Sequence, residues 1–407
     1  MAGPLEGIRI LEWAIWHAGP AAGYMLGDLG AEVIKIEQPG VGDPMRGLVR
    51  LEGRDILNPQ ALTANISFEI PNRNKKSITI DLSKPEGREI VHRLIPKCDV
   101  FMQNFRPGVA QELGVDYLTL AKYNPTLIYA NVSGYGPKGP DGRARGQDYV
   151  GLSRSSMMTA VSGWDEEMPH LAPGLADQMT SIILAYGILA ALLCRERTGV
   201  GQEIHASILG SMVCLQHFRL TSTFLIHQEL PQRRRQEMAN PMYNHYKCAD
   251  GKWFCLGVLA SDRVWPDLCQ ALKIEHLEHD PRFSSTEKRA ENCRELIKIL
   301  DGIFVQEPRD EWLKILRQYR RIICSPVLMP LELPTDPQIT ENQYVVDYDH
   351  PALGKVNMVG FPVMFSKTPP AIYGPAPQFG QHTEEVLLEL GGYSWEDIGR
   401  FKDAGVI

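Results

Sequence analysis

Apolar and polar positions alternate in short runs over the first 135 residues, and the runs switch between a strand period and a helix period. Residues 8–11 read as a strand and 20–29 as a helix. Residues 32–37 (EVIKIE) predict a second strand, and 77–82 (SITIDL) a third with a clean two-residue alternation. Ser83-Lys84-Pro85-Glu86 predicts a capping box with proline in the first turn, opening a helix to about Pro96. Residues 99–105 and 127–132 are further strands, with a helix around 117–123 between them. Such alternation implies a mostly parallel, doubly wound sheet with helices on both faces, a Rossmann-like α/β architecture. Ligands on these sheets bind at the carboxyl ends of the strands, which directs attention to the loops after Leu11, Glu37, Phe105 and Val132.

Beyond that sheet pattern, residues 134–151 hold six glycines and two prolines, a long irregular loop of the kind usually kept for function. A helix is expected from Asp177 to Arg197, stopped by Thr198-Gly199, then a strand over 202–208 and a helix over 209–230. Pro231-Gln232-Arg233-Arg234-Arg235 changes the composition abruptly and marks a boundary. Residues 246–258 read as a hairpin turning at Asp250-Gly251, followed by charged amphipathic helices near 287–304 and 309–319. The resulting division is a large domain from 1–225 and 331–407, and a smaller α+β domain over 226–330. A strand pair near Val345 and Val356 and a helix over 383–390 complete the large one.

The chain has 407 residues, room for two or three domains at about 100–200 residues each. Its net charge of −7 argues against a dedicated nucleic-acid binder, which carries a basic surplus. The longest nearly apolar run, 182–194, has 13 residues against the roughly 20 needed to cross a bilayer. Met1-Ala2-Gly3-Pro4-Leu5-Glu6 has neither a basic nor an apolar leader region. A soluble, cytoplasmic protein without a membrane partner is the expectation. The eight cysteines are scattered, with no C-x-x-C and no zinc spacing, so no metal site is expected. They read as reduced thiols packing as small hydrophobes, Cys214 in Met212-Val213-Cys214-Leu215 being an example.

Candidate chemistry is sparse. The first βαβ unit suggests a dinucleotide site, with Glu37 where a ribose-binding acid would sit. Its turn, His17-Ala18-Gly19-Pro20-Ala21-Ala22-Gly23, lacks the G-x-G-x-x-G spacing that lets a pyrophosphate approach the backbone. Glu37 then reads as a solvated strand-end acid and His17 as a loop side chain with a local partner. Asp177 follows Pro173-Gly174-Leu175-Ala176 and precedes the long apolar helix. It suits a helix N-cap, and equally a carboxylate kept ionised by the helix dipole and available as a nucleophile. Spacing alone leaves both open. Arg233-Arg234-Arg235 reads as a solvated linker, and Trp13 and Trp16 as partly buried packing.

A set of ordered motifs resembles the class III CoA-transferases, the superfamily of formyl-CoA, carnitine and 2-hydroxyacyl CoA-transferases. They include Pro4-Leu5-Glu6-Gly7-Ile8-Arg9-Ile10-Leu11, Ala18-Gly19-Pro20, Gly30-Ala31-Glu32-Val33-Ile34-Lys35-Ile36-Glu37 and Gly42-Asp43-Pro44. Asn104-Phe105-Arg106-Pro107-Gly108, Ser133-Gly134-Tyr135-Gly136, Thr198-Gly199-Val200-Gly201-Gln202 and Gly380-Gln381-His382-Thr383 continue the series nearly to the end of the chain. The resemblance implies that Asp177 is a catalytic nucleophile, attacking an acyl-CoA thioester to give a mixed anhydride and then an aspartyl-CoA thioester. It implies coenzyme A as substrate rather than as a resident cofactor, with neither ATP nor metal. It places His17, Ala18, Gln38, Asn104, Phe105, Arg106, Arg145 and Asp148 at the CoA site or the active cleft, with main-chain amides near His17-Ala18 as oxyanion donors. It further implies an interlocked homodimer acting on an acyl-CoA and a carboxylic acid.

The chain also departs from the family pattern. His17 stands where many members have Gln, and Gln38 and Glu112 where relatives often set Arg against CoA phosphates. The glycine-rich loop of the formyl-CoA enzyme has no counterpart around residues 240–245. The nearest alternative is an α-methylacyl-CoA racemase of the same fold, whose base is a His where this chain has Gln147; a neutral amide cannot take a proton. A non-catalytic CoA-binding dimer is a second alternative, against which Asp177 and its surrounding motifs stand. Trp16, Met157 and Met158 hint at an acid larger than formate, although each could be core.

Overall fold

The computed structural model describes residues 3–51, 54–55, 65–161, 168, 170–230 and 234–407. Its main sheet has six parallel strands: β1 (Arg9–Trp13), β2 (Glu32–Glu37), β3 (Lys75–Thr79), β4 (Val100–Gln103), β5 (Ile128–Ser133) and β6 (Gln202–Ser207). Their spatial order is β3-β2-β1-β4-β5-β6. The order reverses between β1 and β4, the switch point of a doubly wound sheet, where a crevice opens at the strand ends. Among the helices of this first half are α1 (Ala18–Asp28), α2 (Pro85–Leu94), α3 (Asp148–Arg154), α4 (Leu175–Thr198), α5 (Ile208–Leu215) and α6 (His217–Ile226).

Glu229–Glu341 form a separate compact unit. Antiparallel strands β7 (Tyr243–Lys247), β8 (Trp253–Gly257) and β9 (Cys324–Val327) lie in the order β9-β8-β7. They share a core with α7 (Ser261–Leu272), α9 (Cys293–Phe304) and α10 (Arg309–Leu316), built on Trp265, Phe254, Phe283 and Phe304, and α8 (Thr286–Glu291) sets buried Arg289 over Trp265. In the large unit the chain continues as the hairpin β10 (Val345–His350) and β11 (Gly354–Val359), then α11 (Thr383–Glu389) and α12 (Trp395–Asp403).

Alternation along the strands loads both faces of the main sheet. Leu11, Ile34, Ile78, Phe101 and Tyr129 face α2 and the side chains Val386, Leu387, Ile398 and Phe401 of α11 and α12. Ile10, Val33, Val100, Met102, Ile128 and Ala130 face α1 and α4. Thr79 N–H donates to Thr383 Oγ1 at 3.0 Å and His382 N–H to Ser77 C=O at 2.9 Å, tying residues 382–383 to the β3 edge.

Several expectations change in detail. The capping box at residues 83–86 does not form: Lys84 is the N-cap of α2, and the Ser83 hydroxyl bonds Asp81 Oδ1 at 2.6 Å instead. The helix expected over 209–230 breaks at Gln216 into α5 and α6. Strand β9 and helices α7 and α12 were not read from the pattern. Cys214 is exposed, whereas Cys98, Cys248 and Cys269 are buried. Arg235 is no solvated linker: it bonds Asp301 Oδ2 at 2.6 Å and the His245 carbonyl at 3.0 Å. Arg233 lies outside the described residues. The 13-residue apolar run belongs to α4, whose 24 residues are long and apolar enough to cross a membrane by length and composition. In this fold α4 packs on α1 and the sheet through Leu184, Ala185, Ile188, Ala191 and Leu192.

Candidate active site

The turn between β1 and α1 sits at the switch point and is held residue by residue. Lys35 Nζ donates to the Ala14 carbonyl at 2.6 Å. Asn104, at the end of β4, accepts from Ile15 N–H at 2.9 Å and donates to Ile15 C=O at 2.6 Å. Trp16 N–H donates to Asp43 Oδ1 at 3.1 Å. Trp16 itself has φ 64°, the left-handed region, which costs a residue with a Cβ about 1–2 kcal/mol. His17 is the N-cap of α1, so the first N–H groups of that helix, starting at Ala18, open towards the crevice end of β1. Trp13 packs as expected, stacked on Phe105 with centroids 4.0 Å apart; Trp16, in contrast, is 48% exposed.

Asp177 lies in the first turn of α4, but not at its N-cap. Gly174 holds that position at φ 82°, a backbone that glycine adopts without strain. The N-terminus of α4 is capped from outside by Asp148, the first residue of α3. Asp148 Oδ1 accepts from Ala176 N–H at 2.7 Å and Asp177 N–H at 3.0 Å, and Oδ2 from Gly174 N–H at 3.1 Å. The loop before α3 reaches this place because Gly134 and Gly146 pass backbone on backbone: an added Cβ on either would lie within 2.4 Å of the other's Cα. The expectation that the helix dipole keeps Asp177 readily ionised is corrected here. Burial pushes its carboxyl up to about 7, and the Asp148 carboxylate adds to the shift.

The two halves of the site are stitched together. His17 Nε2 donates to Gln178 Oε1 at 2.9 Å, a partner 161 residues away rather than a local one. Burial lowers the imidazole from its ordinary value, which leaves it neutral at pH 7. Ser181 Oγ lies 2.8 Å from both the Ala18 and the Asp177 carbonyl oxygens. Beneath the turn is a buried ionic cluster. Glu12 lies between Lys35, at 3.1 Å, and Lys75, at 2.7 Å, while Lys35 also meets Asp43 at 2.9 Å. Burial pulls the Lys75 ammonium down to about 8, against the opposing pull of Glu12. Glu37 is not a solvated acid: it is buried, bonded by Arg46 through both oxygens at 2.7 Å and by the Ser77 hydroxyl at 2.6 Å.

His17, Ala18, Asn104, Asp148 and Asp177 are thus brought into one connected site, with Phe105 beside it on Trp13. Gln38 is exposed and hydrogen-bonded to Asp81. Arg106, Arg145, Glu112 and Gln147 are exposed, and no ion pair of Arg106 or Arg145 occurs among the described residues. Met158 is core, packed with Leu152, Ala176, Ile208 and Met212, and Met157 lies against the same cluster. Sequence reasoning missed Gln178, Ser181, Asp43, Lys35 and Glu12. The signal for the last two was present, since a charge inside a strand buried on both faces requires a buried partner.

The description "CoA-transferase family III" fits residues 5–383 of the chain. Succinyl-CoA--D-citramalate CoA-transferase of Chloroflexus aurantiacus is 32% identical over 408 residues, covering 99% of this chain and 98% of its own length. Succinyl-CoA:glutarate CoA-transferase of Mus musculus is 34% identical over 408 residues, covering 99% and 90%. Among solved structures, a CAIB/BAIF family protein from Brucella suis matches with a TM-score of 0.83 at 28% identity, covering 96% of this chain and 100% of that one. The Mycobacterium tuberculosis protein Rv3272 matches with a TM-score of 0.79 at 28% identity, covering 94% and 98%.

Proposed function

Because this chain belongs to CoA-transferase family III, enzymes that act on CoA thioesters and carboxylic acids, we propose that Asp177 is the nucleophile that carries CoA between two acids. The observation behind this reading is the placement of its carboxyl. Asp177 is half-buried in the first turn of α4, beside Asp148, in a helix stitched to the amide-bearing turn at the switch point. The Asp177 carboxylate attacks the donor thioester carbonyl, the C–S bond breaks, and a mixed anhydride and CoA thiolate result. The thiolate attacks the Asp177 acyl carbon and releases the donor acid, leaving an aspartyl-CoA thioester. The acceptor carboxylate attacks that thioester, forming a second anhydride, and the thiolate then takes the acceptor acyl group and frees Asp177. Each tetrahedral oxyanion is met by N–H groups of His17 and Ala18, donors already fixed before the charge develops.

Succinyl-CoA is the donor to try first, since it stands in the names of the relatives from Chloroflexus aurantiacus and Mus musculus. A second copy of the chain completes this reading, in an interlocked homodimer in the cytoplasm. Helix α6 buries none of its residues within the large unit, and Phe218, Phe224, Leu225 and Ile226 are exposed along it, which favours a partner surface there. Incubation of succinyl-CoA with a panel of free carboxylic acids, read by mass spectrometry, should yield new acyl-CoA species. Hydroxylamine added during turnover should leave a hydroxamate on the peptide bearing Asp177. Folded Asp177→Ala retaining substantial transfer would refute the assignment.

A further inference from the structure

The ionic cluster beneath the switch point takes no part in the chemistry proposed above. Replacing such a buried cluster with apolar residues is often neutral or stabilising, so stability is a poor account of its presence. Its remaining bonds give a better one. Lys35, with its side chain fully buried, meets Glu12 and Asp43 and spends a further N–H on the Ala14 carbonyl. Asp43 Oδ2 meets Lys35, while Oδ1 accepts from both Trp16 N–H and Met45 N–H. Asp43 is fixed in turn through its own N–H, which donates to Glu37 Oε2 at 3.0 Å. Every polar bond from this pair to the turn therefore falls on Ala14 or Trp16, the residues on either side of the Asn104-held Ile15.

The backbone so held is strained. Trp16 is left-handed, and such strain persists only where the surroundings over-determine it. Released, Trp16 would relax to negative φ and turn the following peptides, which carry the His17 and Ala18 N–H groups, away from their present direction. We propose that the Lys35–Asp43 pair is a positioning device for the transfer reaction, holding Trp16 left-handed so that the His17 and Ala18 amides face the acyl oxygen beside Asp177. This rests on the oxyanion role given to those amides above. Lys35 and Asp43 touch no reacting atom and act through the turn. Donors aimed at a developing charge lose their effect when displaced by about an ångström, which costs roughly 10²-fold in rate.

Two variant series test it. Asp43→Asn keeps an oxygen for Trp16 N–H but loses the charge against Lys35, whereas Asp43→Ala loses both. The expected order in kcat is Asp, then Asn down about 3–10-fold, then Ala down about 30–100-fold, with KM for acyl-CoA within about threefold of wild type. The second series leaves the buried cluster intact. Trp16→Gly and Trp16→Val both remove the indole, but only glycine accepts φ 64° freely, so the valine variant should be at least about tenfold slower than the glycine variant. Equal rates for the two Trp16 variants, or Asp43 variants within about twofold of wild type, overturn the proposal. Asp177→Ala run in parallel separates the failures: if it stays active the nucleophile reading falls, and if only the Asp43 and Trp16 results fail, that reading stands.

Discussion

Asp148→Asn is the perturbation whose outcome is most tightly bounded by the structure. The Asp177 carboxyl is raised from 3.8 to about 7, first by burial and second by the Asp148 carboxylate. Only the ionised form attacks a thioester, so kcat/KM of the wild-type enzyme should rise with pH through about 7 and level above it. Removing the Asp148 charge leaves the burial contribution in place. As the lesser of two causes, Asp148 accounts for less than half the rise, so the midpoint should fall by no more than about 1.5 pH. If it falls to about 6, the ionised fraction at pH 6 goes from roughly 9% to roughly 50%, a fivefold gain relative to the plateau. Stability should move the other way. Asp148 accepts three N–H groups at the start of α4, and weakening charge-assisted bonds of this kind costs about 1.5–3 kcal/mol each. The assay is a pH series of initial rates with succinyl-CoA and an acceptor acid, with thermal melts alongside. A variant that melts lower yet keeps its midpoint at 7, or moves it up, refutes the electrostatic reasoning, because loss of a helix cap alone cannot shift a titration downward.

Other outcomes follow from the same geometry. Folded, Asp177 is a weaker acid than unfolded, so its ionisation removes stability as pH rises from about 4 to 7, and the cost stands in full above 7. Asp177→Asn should therefore melt higher than wild type at pH 8, by ~2–4 kcal/mol, with little difference at pH 4. If the exposed Arg106 and Arg145 meet the CoA phosphates as the resemblance implies, with Gln38 engaged with Asp81 and Glu112 acidic, the preference for CoA over 3′-dephospho-CoA should stay below about a hundredfold, ~2.7 kcal/mol, in competition kinetics. With an amide at Gln147, a 2-methylacyl-CoA incubated in D₂O should gain no deuterium at the α carbon, and exchange that depends on Asp177 would revive the racemase alternative. Light scattering at low concentration should find a dimer, and a folded species of 45.6 kDa would count against interlocked chains.

The sheet was legible because its inner strands are buried and their apolar positions survive in the sequence. EVIKIE became β2 with unchanged bounds, and the parallel order follows from the helices between strands. The same sequence was silent on α7 and on β9, where Pro326 interrupts the pattern although it pairs with Phe254. Asp177 could be singled out as a carboxylate before a helix, but its acidity could not. That depends first on burial and second on Asp148, which the close crossing of Gly134 and Gly146 brings to the start of α4. Likewise, no local pattern could couple His17 to Gln178 across 161 residues. Lys35 was the missed clue: a lysine in the middle of an otherwise apolar strand had to have a buried counter-charge.

The packing of α11 and α12 against the sheet has a consequence for how the chain is made. Side chains from residues 386–406 fill the same core as Leu11, Ile34 and Phe101, so strands synthesised first wait for partners made some 300 residues later. Until then α2 covers only part of that face, and the rest is a surface open to wrong contacts or to a chaperone. Glu229–Glu341, with a core of their own, are under no such delay. In vectorial synthesis the segment in the middle of the chain can therefore mature first, while the sheet that bears the site is closed last.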